Sequence, residues 1–173
     1  GMEPIVVGPG IKTGLNIQMD DPASVGSDRI VIAVAALQEY KPPIILVDMG
    51  TATTMEVVDH GNTYLGGCII PGVRVSAEAL SSRASQLPGI QLDRPKRAIG
   101  KNTIECMKSG VIYSNAAALD GIVERIGEEL GKEPFVVATG GLAKKIVPYC
   151  KKKIVLDEDL LLKGLLIIYE KNK

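Results

Sequence analysis

Ile44-Ile45-Leu46-Val47-Asp48-Met49-Gly50-Thr51-Ala52-Thr53-Thr54 is the stretch whose reading decides the fold. It opens with an apolar run of strand length, rich in β-branched residues, and stops on a carboxylate and a glycine. A second strand-like run, Met55 to Val58, leads into the turn residues Asp59-His60-Gly61-Asn62. A third, Thr63 to Ile70, is interrupted by Gly66-Gly67 and ended by Pro71-Gly72. The pattern predicts three antiparallel strands with a tight turn at Gly50 and a hairpin at His60-Gly61-Asn62. The chemistry belongs to the first turn. Gly50 has no Cβ, so an anionic group can come close to its backbone. The hydroxyls of Thr51, Thr53 and Thr54 are donors for phosphate oxygens. Asp48, at the end of a buried strand, is able to hold a hard cation against those oxygens. A plain strand ending in a polar turn uses the same residue types, and this stretch by itself does not separate the two.

Working outward, the chain of 173 residues is long enough for one good-sized domain, or one domain with part of another, and 46% of it is hydrophobic. Lys plus Arg equals Asp plus Glu at 20 each. Zero net charge, with Phe135 and five Tyr as the whole aromatic complement, gives no electrostatic or stacking case for nucleic acid or a membrane surface. Cys68, Cys106 and Cys150 form no Cys-x-x-Cys pair and read as reduced thiols of a cytoplasmic protein. The one histidine, His60, reads as a surface turn residue. No apolar run is long enough to span a bilayer.

Upstream, Glu3 to Val7 reads as a short strand, Gly8-Pro9-Gly10 forces a loop, and 11–25 reads as loop. A strand without partners followed by a long loop looks like the end of an upstream domain. Gly26-Ser27-Asp28-Arg29 then opens a helix that runs from Ile30 to Tyr40 and stops at Lys41-Pro42-Pro43. Ser27 or Asp28 would serve as its N-cap. A carboxylate beside Arg29 at a helix N-terminus would equally serve to bind an anionic substrate and take a proton from a hydroxyl. Downstream, a helix over 72–85 places Val73, Ala77 and Leu80 on one face, and an irregular connection covers 87–100. A long helix from Ile104 to about Leu130 follows, capped by Asn102 or Thr103, with Gly110 and Gly121 inside it as points of close helix packing. Phe135 to Ala138 is a strand, Thr139-Gly140-Gly141 a turn that either approaches a flat ligand or merely joins strand to helix. Lys153 to Leu156 is a strand and Asp159 to Lys171 a final helix.

From Ile44 the order is β-β-β-α-α-β-α-β-α, an α/β mixed sheet with helices on both faces. Ligands in such sheets sit where loops gather at strand ends, here Asp48–Thr54 and Thr139–Ala143. Six motifs occur in order: Gly8-Pro9-Gly10-Ile11-Lys12-Thr13-Gly14, Gly26-Ser27-Asp28-Arg29, Asp48-Met49-Gly50-Thr51-Ala52-Thr53-Thr54, Tyr64-Leu65-Gly66-Gly67 with Pro71-Gly72, Gly100-Lys101-Asn102-Thr103, and Ala138-Thr139-Gly140-Gly141-Leu142-Ala143. Together they resemble the type III pantothenate kinases over nearly the whole chain. The resemblance implies the RNase H-like fold of the acetate and sugar kinase, Hsp70 and actin superfamily. In that frame 1–41 is the C-terminal remnant of a first RNase H-like domain with the substrate loop, and 42–173 is the second. It also implies phosphate transfer from ATP to pantothenate, the first step of coenzyme A biosynthesis, in a cytoplasmic homodimer.

Residue by residue, the resemblance makes Gly26, Ser27, Asp28 and Arg29 the pantothenate-binding motif, with Asp28 as proton acceptor and Arg29 holding the pantothenate carboxylate. It makes Asp48 the ligand of an activating monovalent cation, K+ or NH4+, and Thr51 an ATP contact, with Mg2+ arriving on ATP. Thr103 becomes a pantothenate contact supplied by the dimer partner. The family also carries an Asp-x-Gly-Asn-Thr phosphate loop in an N-terminal half, which is not found in this sequence, so the 173-residue chain alone is expected to be a poor kinase or none. Ser27 stands where the family commonly has Ala. The competing expectation is a non-catalytic regulatory or binding protein of the family's accessory-factor branch; another sugar or acid kinase of the superfamily fits the motifs less well.

Overall fold

A computed structural model describes residues 4–173. The antiparallel trio is there: β2 (Ile44–Met49) pairs with β3 (Ala52–Asp59), and β3 with β4 (Thr63–Pro71). Gly61 (φ 68°) and Asn62 (φ 56°) supply the two left-handed residues that a tight hairpin between right-twisted strands requires. β5 (Phe135–Thr139) lies parallel to β2, and β6 (Val155–Leu156) parallel to β5. A short strand β1 (Asn16–Ile17) completes a six-stranded sheet of order β1-β4-β3-β2-β5-β6. Only β3 runs against its two neighbours, and the return from β4 to β5 is helical. This strand order and direction is the RNase H-like arrangement that the resemblance implies.

The helices cover both faces because the central strands are apolar on both. Ile44, Leu46 and Val58 face α1 (Ser27–Glu39) and its residues Ile32, Ala33, Ala35 and Ala36 in one core. Ile45, Val47, Met55 and Val57 face α2 (Val73–Arg83) and α3 (Thr103–Leu130) in the other. α4 (Ala143–Ile146) links β5 towards β6, and α5 (Leu160–Lys171) returns to lie on α1. That crossing is close: a Cβ on Gly164 would meet the Val31 carbonyl oxygen at 2.0 Å.

Several expectations are corrected. Residues 4–7 form no strand; Glu3 lies outside the described residues. The segment 11–25 is not plain loop. β1 pairs in parallel with β4, with Asn16 opposite Thr63, and Pro22–Ser24 makes a 3-10 turn with Asp21 as its cap. Leu80 is exposed, and the apolar face expected of α3 (Ile104, Met107, Val111, Ala118, Ile122, Ile126 and Leu130) holds in part: Met107 and Val111 are buried, Ile122, Ile126 and Leu130 pack half-buried against the core, and Ile104 is exposed, while Ile112, Ala116, Leu119 and Val123 complete the buried seam. Gly110 has open space where a Cβ would go, and Gly121 meets only its own helix's Arg125, so neither marks close packing within the described residues.

Candidate active site at the carboxyl end of the sheet

Helix α1 starts at the level where β2 ends, so Asp28 and Arg29 in its first turn stand over Asp48. The N-cap is Gly26, which has no side chain to cap with; neither Ser27 nor Asp28 takes that role as expected. Asp28 is instead inside the helix, exposed, its Oδ1 accepting from the Arg29 N–H at 2.9 Å. A Cβ on Gly26 would fall 2.6 Å from that same Oδ1, so a side chain there would turn the Asp28 carboxylate aside. Ser27 is exposed beside Asp28.

Asp48 is half-buried, and among the described residues no donor reaches its carboxylate. Burial first, then the charges of Asp28 and Glu56, push its pKa above the ordinary carboxylate range. The Asp28 charge is among those that raise Asp48, so the two carboxylates lie near one another. Gly140 leaves room for the Asp48 carboxylate. It sits at φ 93°, and a Cβ there would lie 2.5 Å from Asp48 Oδ1 and 2.6 Å from Met49 N. The Gly140-Gly141 turn therefore seats β2's carboxylate, a role the sequence reading did not include.

The three threonines separate. β-strand alternation sends Thr53 to the α2 face, where it is wholly buried, so it is no phosphate donor. Thr54 is directly opposite Asp48 on the same face, and its Oγ1 is buried without a partner. Thr51 is exposed in the turn between β2 and β3. The backbone of that turn is packed against Gly72, where a Cβ would come within 2.1 Å of the Thr51 carbonyl oxygen.

Arg29 does not stand free. Its Nε and Nη2 donate to Glu56 Oε1 and Oε2 at 2.5 and 2.7 Å, and the Tyr64 hydroxyl donates to Glu56 Oε2 as well. Glu56 was not singled out in the sequence, and Tyr64 entered only as part of Tyr64-Leu65-Gly66-Gly67, with no role. The available signal was a carboxylate within Met55-Glu56-Val57-Val58, an apolar run where a charge has to be paired. Thr103 is the one expected site residue away from this group. It is exposed at the first turn of α3, behind the Asn102 cap that accepts from Glu105 N–H at 3.0 Å, and its side chain makes no hydrogen bond among the described residues.

Beside the start of α1 a cavity of about 300 Å³ is walled by Val7, Pro9, Ile11, Ile17, Val25 and Ser27. It is mostly apolar with a polar rim at the helix N-terminus, a shape for a small flexible molecule with one polar end. Among the described residues no three His, Cys, Asp or Glu side chains gather as a metal cage. Asp48 with the unpartnered Thr54 hydroxyl is a hard-oxygen pair that fits a weakly held monovalent cation rather than a multi-carboxylate divalent site.

The family model for type III pantothenate kinase matches residues 1–125. A type III pantothenate kinase of Syntrophus aciditrophicus (strain SB) is 49% identical over 171 residues, covering 99% of this chain and 67% of that protein. One from Bacillus cytotoxicus is 50% identical over 171 residues, covering 99% of this chain and 65% of that protein. The chain thus spans about two thirds of the length of these relatives. A solved structure from Campylobacter jejuni, described as of the Baf family of transcriptional activators, superposes with a TM-score of 0.62 over 92% of this chain and 70% of its own at 20% identity, a likeness of fold alone.

Proposed function

The chain belongs to the type III pantothenate kinase family, and from that premise we propose that the cleft between α1 and the end of β2 is where phosphate passes from ATP to the hydroxyl of pantothenate. The observation that carries the reading is the pair of carboxylates: exposed Asp28 on a helix N-terminus, and half-buried, unpaired Asp48 within reach of its charge. Phosphoryl transfer asks little covalent chemistry of a protein; it asks for positioning and charge neutralisation. Asp28 accepts the proton of the pantothenate hydroxyl as its oxygen bonds to the γ-phosphorus and the bond to the ADP oxygen breaks. The α1 N-terminus and Arg29 hold the acid end of pantothenate, and the apolar cavity behind Ser27 takes its dimethyl-bearing body. Thr51 and the turn it sits on contact ATP, which brings its own Mg2+. Asp48, with the Thr54 hydroxyl, would hold K+ or NH4+, whose charge when bound offsets that of the phosphates. Thr103 serves the neighbouring subunit's pantothenate in a homodimer, and the protein works in the cytoplasm.

The test is Asp28→Asn in the full-length native protein, followed by ADP release and by pantothenate binding. Turnover is expected to fall by about two orders of magnitude, the usual worth of a positioned base, while pantothenate affinity changes far less. Turnover equal to wild type removes Asp28 from the chemistry.

A further inference from the structure

We propose that Glu56 is a positioning residue: acting through Arg29, it sets the recognition of the substrate's carboxylate. The inference rests on the pantothenate reading and deepens it.

Glu56 is 0% exposed on an interior strand, where an ionised carboxylate is expensive unless it is fully bonded. Here it is. Arg29 donates Nε to one oxygen and Nη2 to the other, a fork-on-fork pair, and the Tyr64 hydroxyl adds a third donor from β4. Tyr64 is also 0% exposed, and burial together with Glu56 raises its pKa, so it remains a donor throughout the ordinary pH range. Three elements, α1, β3 and β4, thus converge on one guanidinium. An apolar residue of similar size would serve the sheet at lower cost, so what Glu56 adds is geometry.

The geometry has a direct consequence. The edge of Arg29 formed by Nε and Nη2 is turned inward and occupied. Nη1 has no hydrogen bond among the described residues, and the side chain is 16% exposed. A substrate carboxylate therefore meets the Nη1 side of a planar group that cannot rotate, next to the α1 N-terminus. Without Glu56 the guanidinium would be free to swing towards Asp28 and Asp48, whose charges lie in the same cleft, and would no longer be presented to an incoming anion.

The experiment compares two ligands in the full-length native protein: pantothenate, and pantothenyl alcohol, which carries a hydroxymethyl group in place of the carboxylate. Binding of both is measured by calorimetry for wild type, Glu56→Gln and Tyr64→Phe. Glu56→Gln is expected to weaken pantothenate binding by about tenfold or more and to leave pantothenyl alcohol within about twofold, so that the preference for the acid collapses. Tyr64→Phe is expected to move the same ratio less. Equal losses for both ligands, which is what general loosening of the site would produce, overturn the inference; so does an unchanged preference. Should Glu56→Gln not fold, Glu56→Asp carries the same comparison with a smaller expected shift. A wild type that binds neither ligand overturns the kinase reading and this inference with it, whereas a wild type that prefers the acid as strongly as its Glu56 variants do overturns this inference alone.

Discussion

Asp48 shows at the scale of one residue how function is set against stability. Its pKa is raised, by burial first and then by Asp28 and Glu56. A carboxylate whose folded-state value lies above its unfolded one contributes most at low pH and loses that contribution as pH rises through the raised value. Ionised Asp48 therefore weighs against folding at neutral pH. Asp48→Asn is expected to be more resistant to urea than wild type above about pH 4, with the gap widening and then levelling as pH rises. Potassium chloride, compared with a bulky organic chloride at equal ionic strength, should narrow that gap by stabilising wild type alone. A gap independent of pH would mean that Asp48 is not strained by its surroundings. The neighbouring Gly140 belongs to the same account: Gly140→Ala would force both a left-handed alanine and a contact with Asp48 Oδ1. It is expected to impair any Asp48-dependent cation effect on thermal unfolding, with far-UV dichroism confirming an intact sheet. Asp28, Arg29 and Asp48 stood out in the sequence because each lies near the end of an element and close to a glycine. Glu56 did not, because a lone acid in an apolar strand says only that a partner exists.

At the scale of elements, helix α1 depends on two contacts of different kinds. Its middle is crossed by α5 at Gly164, where the Val31 backbone occupies the place a side chain would take. Gly164→Ala must push the helices apart, and overpacking of this sort costs about 1–3 kcal/mol, to be measured by urea unfolding. Because Asp28 and Arg29 sit in the first turn of α1, within one turn of Val31, the same variant is expected to lose pantothenate affinity although it touches no ligand. α3 is held differently. Asn102→Ala removes a side-chain acceptor for the Glu105 N–H and should cost about 1 kcal/mol, again read by urea unfolding. The antiparallel trio and the long helix were legible from period and turn residues. The parallel strand β1 was not: two residues, Asn16 and Ile17, carry no periodicity, and only the proximity of β4 gives their backbone groups partners.

For the whole molecule, the β6 edge of the sheet is tied by a second polar group. Asp157 accepts from the Tyr40 hydroxyl at 3.0 Å and from Lys163 Nζ at 2.8 Å, and Lys163 also reaches Glu39 at 2.9 Å, so α1, the β6–α5 junction and α5 meet in one network. Burial, followed by the hydrogen bond to Asp157, pushes the Tyr40 hydroxyl up to about 12. A raised value means that the contribution is complete below the unfolded tyrosine pKa of about 10 and is lost as pH climbs through the folded one. Wild type is therefore expected to lose stability between about pH 10 and the folded value, and Tyr40→Phe to lose less over that window, by urea titration at each pH. Asp157 works at the other end of the scale. Burial acts to raise it, but its donors outweigh burial and lower it, so its contribution holds at neutral pH and goes as the solution is acidified below the ordinary carboxylate range. No helix among the described residues is long and apolar enough to cross a membrane. By itself the sequence determined the central sheet, the flanking helices and the residues that end each strand at the cleft, because those depend on hydrophobic period and on Gly, Pro and Asp at turns, all local in the chain. Only the tertiary structure decided which acid answers Arg29, which threonine hydroxyl lies buried beside Asp48, and which glycines leave room for carboxylates, because each depends on atoms brought together from distant segments by packing.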